Sequence, residues 1–194
     1  MNLPNKLTIL RILLVPLVVA AMLIEFPFHF VVSSLLFLTA SVTDFFDGMI
    51  ARKNNLVTNF GKFADPIADK ILVISALICL LSLGLCDPVI IIIVLFREFV
   101  VTSVRLSAAA NGKVVAANIW GKFKTLSQLF AIAVVFSLQM VLEFITFFSS
   151  AKDAAALFDT FYIIGEIAMW ISTVFTILSG LKYVLDNKDS ITDI

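Results

Sequence analysis

The chain has 194 residues, 61% of them hydrophobic and 14% charged, with a mean hydropathy of +1.08. A soluble domain carries about 25% charged and about 45–50% apolar residues, so a water-soluble globule of this size is excluded. Lys+Arg and Asp+Glu balance at 14 each, which removes the basic excess that binding to nucleic-acid phosphates requires.

Six stretches have roughly the 20-residue apolar length that a helix needs to cross a bilayer. They lie at 7–23, 30–47, 63–83, 88–108, 120–147 and 158–185. Solid apolar runs such as 89–96 lack the alternation of a membrane β-strand. The expected architecture is therefore all-α: a polytopic membrane protein, one domain over residues 1–194, built as a six-transmembrane-helix bundle. The first stretch is long for the apolar part of a signal peptide and has no convincing cleavage site, so it is expected to remain as the first span. Basic residues favour the cytoplasmic side. With Lys6 and Arg11 placed there, eleven bases fall on inner connections, Lys152 alone falls outside, and Lys70 and Arg97 lie within spans. Both termini are then cytoplasmic, and the outer connections carry Glu25, His29, Asp87, Glu143, Asp153 and Asp159. Cys79 and Cys86, with no His or second Cys pair, make no zinc pattern and are expected as buried apolar residues. His29 is expected at the membrane interface rather than as a ligand.

Charge in membrane spans is costly and points to function, and here it concentrates in one segment. Asp44 and Asp47 are about 60° apart on a helix, with Gly48, Ala51 and Arg52 on the same broad face. Asp65 and Asp69, four apart, likewise share a face. A short inner connection makes the second and third spans an antiparallel hairpin that brings the two pairs together. Converging carboxylates repel unless they share protons or bind cations. Oxygen ligands without His or Cys select a hard ion, magnesium or manganese, and four negative charges balance two divalent ions. Two such ions can clamp a phosphate through an in-line displacement. Gly48 and Gly61 allow close approach of a ligand or of another helix, and Arg52 can pair with a diphosphate or anchor the inner face.

The segment reads D-x-x-D-G-x-x-A-R, eight residues, then G-x-x-x-D-x-x-x-D, from Asp44 to Asp69. With every fixed position filled, it resembles the signature of the CDP-alcohol phosphatidyltransferase family, and the six-span plan is similar to that family along the whole chain. The resemblance implies attack of an alcohol on the β-phosphorus of a CDP-linked lipid with release of CMP. It implies Asp44, Asp47 and Asp65 as metal ligands, and Asp69 as both second-metal neighbour and general base. Gly48, Ala51, Arg52 and Gly61 would line the cytidine diphosphate pocket, with Asn5 and Thr8 as further nucleotide or metal-shell candidates. A homodimer in the cytoplasmic membrane, with its active site facing the cytoplasm, is also implied.

Three further stretches, at 2–11, 97–105 and 121–128, resemble the members of the family that use CDP-diacylglycerol as donor and sn-glycerol 3-phosphate as acceptor. An acceptor that is itself a phosphate needs cations. Arg105, Lys113, Lys122 and Lys124 lie on the appropriate side, where the positive-inside rule also places them. Arg97 and Glu98 are expected to form an ion pair or a site-orienting network. Other acceptors for the same chemistry are phosphatidylglycerol, as in a cardiolipin synthase, or an inositol phosphate. Outside the class, a cation transporter also gathers aspartates between helices, but it needs polar groups continuing across the bilayer.

Overall fold

The computed structural model describes residues 2–53, 58–110, 119–149 and 151–188, with the side chains at 3, 4, 44–53, 59, 62, 63, 110 and 151 outside that description. Among the described residues the chain forms six α-helices: α1 Leu3–Leu23, α2 His29–Lys53, α3 Asn59–Ser82, α4 Pro88–Ala110, α5 Ile119–Phe148 and α6 Ala151–Asp186. No described residue is in a strand.

Local signals explain where the helices start and stop. A proline in the first turn of α1 uses a position whose N–H has no helical partner. Thr58 caps α3 by accepting the Gly61 N–H at 3.0 Å, and Asp87 accepts the Val89 N–H at 2.7 Å where Pro88 opens α4. The stop after α3 is a paired C-cap. Leu85 N–H bonds Leu80 C=O and Gly84 N–H bonds Leu81 C=O, with Gly84 at φ +70. Only a residue without Cβ takes that backbone angle at little cost.

The helices pack as two groups. Among the described residues α1 lies against both α2 and α3, and α6 against both α5 and α4, while α2 joins the groups through α5. Phe37 of α2 and Phe136 of α5, each 1% exposed, meet edge-to-face with centroids 5.5 Å apart. The hairpin expected between the second and third spans is not the principal contact. α2 and α3 meet each other sparsely, because α1 runs alongside both and supplies their partners.

The outer surface is apolar: Phe96, Phe99 and Phe130 are each at least 69% exposed. Three helices, Asn5–Leu23, Ile119–Phe148 and Lys152–Asp186, are long and apolar enough to cross a membrane, and His29–Thr43 is a shorter apolar helix. Four boundaries differ from expectation by more than a turn: α1 starts at Leu3 and α3 at Asn59, each four residues early, α2 runs on to Lys53, six residues past 47, and the start of α6 differs most. α6 begins at Ala151 rather than near 158, so Lys152, Asp153 and Asp159 lie on its first turns instead of in a connection. Asp153 is favoured there by the helix dipole and accepts from Ser149 Oγ at 2.8 Å.

Cys79 and Cys86 are free and buried, as expected. Burial, reinforced by Glu166 and Asp87, pushes the Cys86 thiol up to about 12, so at pH 8 it stays protonated and a poor nucleophile. A chromogenic disulfide reagent at pH 8 should therefore leave Cys86 unmodified in non-denaturing detergent and react after unfolding. Rapid modification of Cys86 in the native protein would contradict this.

Candidate active site

The carboxylates of α3 are set by α1. Asn5, Thr8 and Arg11 recur every third residue and so share one helix face. All are buried, at 8%, 1% and 0% exposure. Each makes one rung to α3. Thr58 Oγ1, at the cap, donates to Asn5 Oδ1 at 2.8 Å. Thr8 Oγ1 donates to Asp65 Oδ1 at 2.7 Å, and Arg11 Nη1 donates to Asp69 Oδ1 at 2.6 Å. A buried guanidinium costs several kcal/mol unless it is paired and hydrogen-bonded. The Asp69 carboxylate offsets that cost, and in return its own orientation is fixed. The Asp69 side chain is still 46% exposed, so Arg11 orients the carboxylate without sealing it from solvent.

Gly61 opens a notch beside these rungs. A Cβ there would stand 3.3 Å from Thr58 Oγ1, 3.4 Å from Asn5 Oδ1 and 3.6 Å from Asp65 Oδ2, so a larger residue would push into three oxygens. An oxygen-lined notch next to two carboxylates fits a hard cation, which takes oxygen ligands. Among the described residues no three of His, Cys, Asp and Glu gather closely enough to hold a metal by themselves. Asp65 and Asp69 are two of the four expected ligands. The others, Asp44 and Asp47, lie on the last turns of α2 with Gly48, Ala51 and Arg52, and their side chains fall outside the described residues.

A second polar cluster sits one residue along α3. Glu98, 13% exposed, accepts from Lys124 Nζ at 2.7 Å and Arg97 Nη1 at 2.9 Å, and Lys70 Nζ lies 3.7 Å from its other oxygen. Lys70 also donates to Thr102 Oγ1 at 2.7 Å, and Arg97 Nη2 donates to Ser179 Oγ at 2.8 Å. One carboxylate thus ties α3, α4 and α5 together, and Arg97 extends the tie to α6. Gly180 makes room for Arg97, whose Cγ lies 3.0 Å from where a Cβ would stand. Arg97 and Glu98 are therefore a network rather than an isolated pair. Three cations against one carboxylate leave this cluster with net positive charge.

The four basic residues expected at the acceptor phosphate are placed differently from one another. Lys124 is buried against Glu98. Arg105 is exposed, with Nε donating to Tyr183 Oη at 3.1 Å and its guanidinium 5.5 Å from that ring's centroid. Lys122 is exposed on the first turns of α5, and Lys113 lies outside the described residues. Arg11 is the residue that sequence reasoning placed only in the topology and the N-terminal pattern. The available signal was the three-residue spacing of Asn5, Thr8 and Arg11 inside an otherwise apolar helix.

Comparison with known proteins gives a consistent result. The family model for CDP-alcohol phosphatidyltransferases matches residues 1–178. A CDP-diacylglycerol–glycerol-3-phosphate 3-phosphatidyltransferase of Bacillus subtilis is 38% identical over 98% of this chain and 97% of its own length. One from Rickettsia bellii is 40% identical over 94% and 93%. A probable phosphatidylglycerophosphate synthase of Mycobacterium tuberculosis is 36% identical over 94% of this chain and 80% of its own.

Proposed function

This chain belongs to the CDP-alcohol phosphatidyltransferase family, and on that premise we propose that it is a phosphatidylglycerophosphate synthase, transferring the phosphatidyl group of CDP-diacylglycerol to sn-glycerol 3-phosphate with release of CMP. The observation that carries the reading is the paired setting of Asp65 and Asp69 by Thr8 and Arg11, at the motif positions where such chemistry needs its carboxylates.

Asp44, Asp47, Asp65 and Asp69 would hold two divalent ions, Mg2+ or Mn2+; when bound, these supply positive charge to the diphosphate and to the entering and leaving oxygens. The chain's own residues do the rest. Arg11 holds Asp69 Oδ1, so the carboxylate presents a fixed face to the acceptor hydroxyl and takes its proton. Geometry is the first requirement on such a base. The hydroxyl oxygen forms a bond to the β-phosphorus as the bond to CMP breaks. Gly48, Ala51, Arg52 and Gly61 would receive the cytidine diphosphate, with Asn5 and Thr8 shaping the wall beside Gly61. Cations for the acceptor phosphate come from Arg105, Lys113 and Lys122. Lys124 contributes through the positively charged cluster it forms with Glu98, Arg97 and Lys70.

The same reading takes all six helices as membrane spans of one domain, with both termini and the site at the cytoplasmic face, in a homodimer. The inner-side bias of the basic residues supports the orientation, and the family resemblance supports the dimer. Purified protein in detergent micelles with Mg2+ and CDP-diacylglycerol should release CMP with sn-glycerol 3-phosphate, but not with phosphatidylglycerol or an inositol phosphate. Excess chelator should stop the release. CMP release confined to either of the other acceptors would reject the acceptor assignment and leave the family chemistry standing.

A further inference from the structure

At the end of the bundle opposite Asp65 and Asp69, the α1–α2 connection, the last turns of α5 and the first turns of α6 border two adjoining open pockets of about 730 and 530 Å3. Phe26, Phe30, Gln139 and Phe158 line both, so they are lobes of one space. Glu143 adds to the larger lobe and His29 to the smaller. Each lobe lies in the range of small-ligand sites, about 300–1,000 Å3.

The walls are aromatic, but several polar groups there are not used by the fold. Gln139 is 7% exposed and makes no hydrogen bond to a described residue. His29 Nδ1 is buried without a hydrogen-bond partner, while its Nε2 faces Glu143 Oε1 at 3.3 Å. Nδ1 is thus left for a ligand. Glu143 accepts the Phe30 N–H at 3.3 and 3.1 Å, which leaves acceptor capacity on a carboxylate that has about four lone-pair sites. Nearby, Phe28 adopts φ 62, a strained angle for a bulky residue. Its ring is held 5.1 and 4.9 Å from Phe144 and Phe147.

The space is therefore rich in acceptors. Glu25 and Glu143 are carboxylates on its lining, and no Lys or Arg lines either lobe. Its chemical complement is a cation with N–H donors attached to an apolar tail, since ammonium groups bind both carboxylates and aromatic faces. We infer that this space is a lipid site, and that its occupant is a phospholipid with a primary ammonium headgroup. The headgroup is recognised by Glu143, Gln139 and His29, and the acyl chain lies along the phenylalanines. This site is separate from the transferase reading and stands or falls without it.

The test is native mass spectrometry of the full chain from detergent containing equal phosphatidylethanolamine and phosphatidylglycerol of matched chains. The wild-type protein should retain one phosphatidylethanolamine, preferred about tenfold. Gln139→Leu should lose the preference, and Ala155→Trp, which fills the larger lobe without touching its polar groups, should lose the lipid. Both variants should keep the wild-type size-exclusion profile and Tm in detergent, which shows that they fold whether or not CMP release is detected. Equal retention of the two headgroups, preference for phosphatidylglycerol, or undiminished retention in Ala155→Trp would overturn the proposal.

Discussion

Replacement of Asp69 by Asn is expected to reduce CMP release by at least about 10³-fold while the protein still folds. Asn keeps the volume of the side chain, and its amide oxygen can still accept from Arg11 Nη1, which donates to Asp69 Oδ1 at 2.6 Å in the native chain. What it lacks is negative charge and the ability to take a proton. Loss of a general base alone removes about 10²–10⁴ in rate, and loss of an anionic oxygen at a divalent-ion site acts in the same direction. The measurement is CMP release from CDP-diacylglycerol and sn-glycerol 3-phosphate at saturating Mg2+, beside a size-exclusion profile that reports folding. A variant within about tenfold of the native rate would be too active for a lost general base and would remove Asp69 from the mechanism.

Arg11→Met is expected to cost stability as well as activity. Arg11 is 0% exposed and its partner is 46% exposed. Breaking a fully buried pair costs about 3–5 kcal/mol, and the partial exposure of Asp69 lets water solvate its carboxylate, which puts the loss near the lower limit, about 3 kcal/mol. For a chain of this size that corresponds to a fall in Tm of about 6–12 °C, readable by thermal unfolding in detergent. Activity falls further than stability, because Asp69 loses the donor that orients it. Arg11→Lys keeps the charge but not the planar guanidinium. It should restore most of the Tm and little of the rate. An unchanged Tm in Arg11→Met would show that the rung between α1 and α3 contributes nothing to the fold.

These two expectations also mark where sequence reasoning stopped. Asp65 and Asp69 were legible because charge is scarce in this chain and their four-residue spacing puts them on one helix face. The helices were legible as long apolar runs, whereas the caps at Thr58, Gly84 and Asp87 that set their ends emerged only in the structure, and α3 starts at Asn59 rather than near 63 because Thr58 caps it. The start of α6 was not legible. Lys152, Asp153 and Asp159 look like connection residues by hydropathy, yet a helix accepts polar residues in its first turns and favours an acid there. Lys124 was read as a base free to meet a phosphate, and its burial against Glu98 depends on how α4 and α5 pack, which no local pattern encodes.

Composition and periodicity by themselves pointed to an all-helical, lipid-compatible chain, and the eight residues from Asp44 to Asp69 carried its resemblance to a family that the family model and the relatives show. Both are local properties, carried by side-chain hydropathy and by the turn of a helix. Tertiary structure alone decided which helix sets the carboxylates. The connection between α2 and α3 suggested a hairpin, but chain proximity does not fix contact. α1 carries Asn5, Thr8 and Arg11 on one buried face, and these polar groups need partners once water is excluded. Thr58 at the cap of α3, with Asp65 and Asp69 on it, supplies them, so the first span, in which sequence reasoning saw Asn5 and Thr8 only as nucleotide or metal-shell candidates, became the frame on which the site is built.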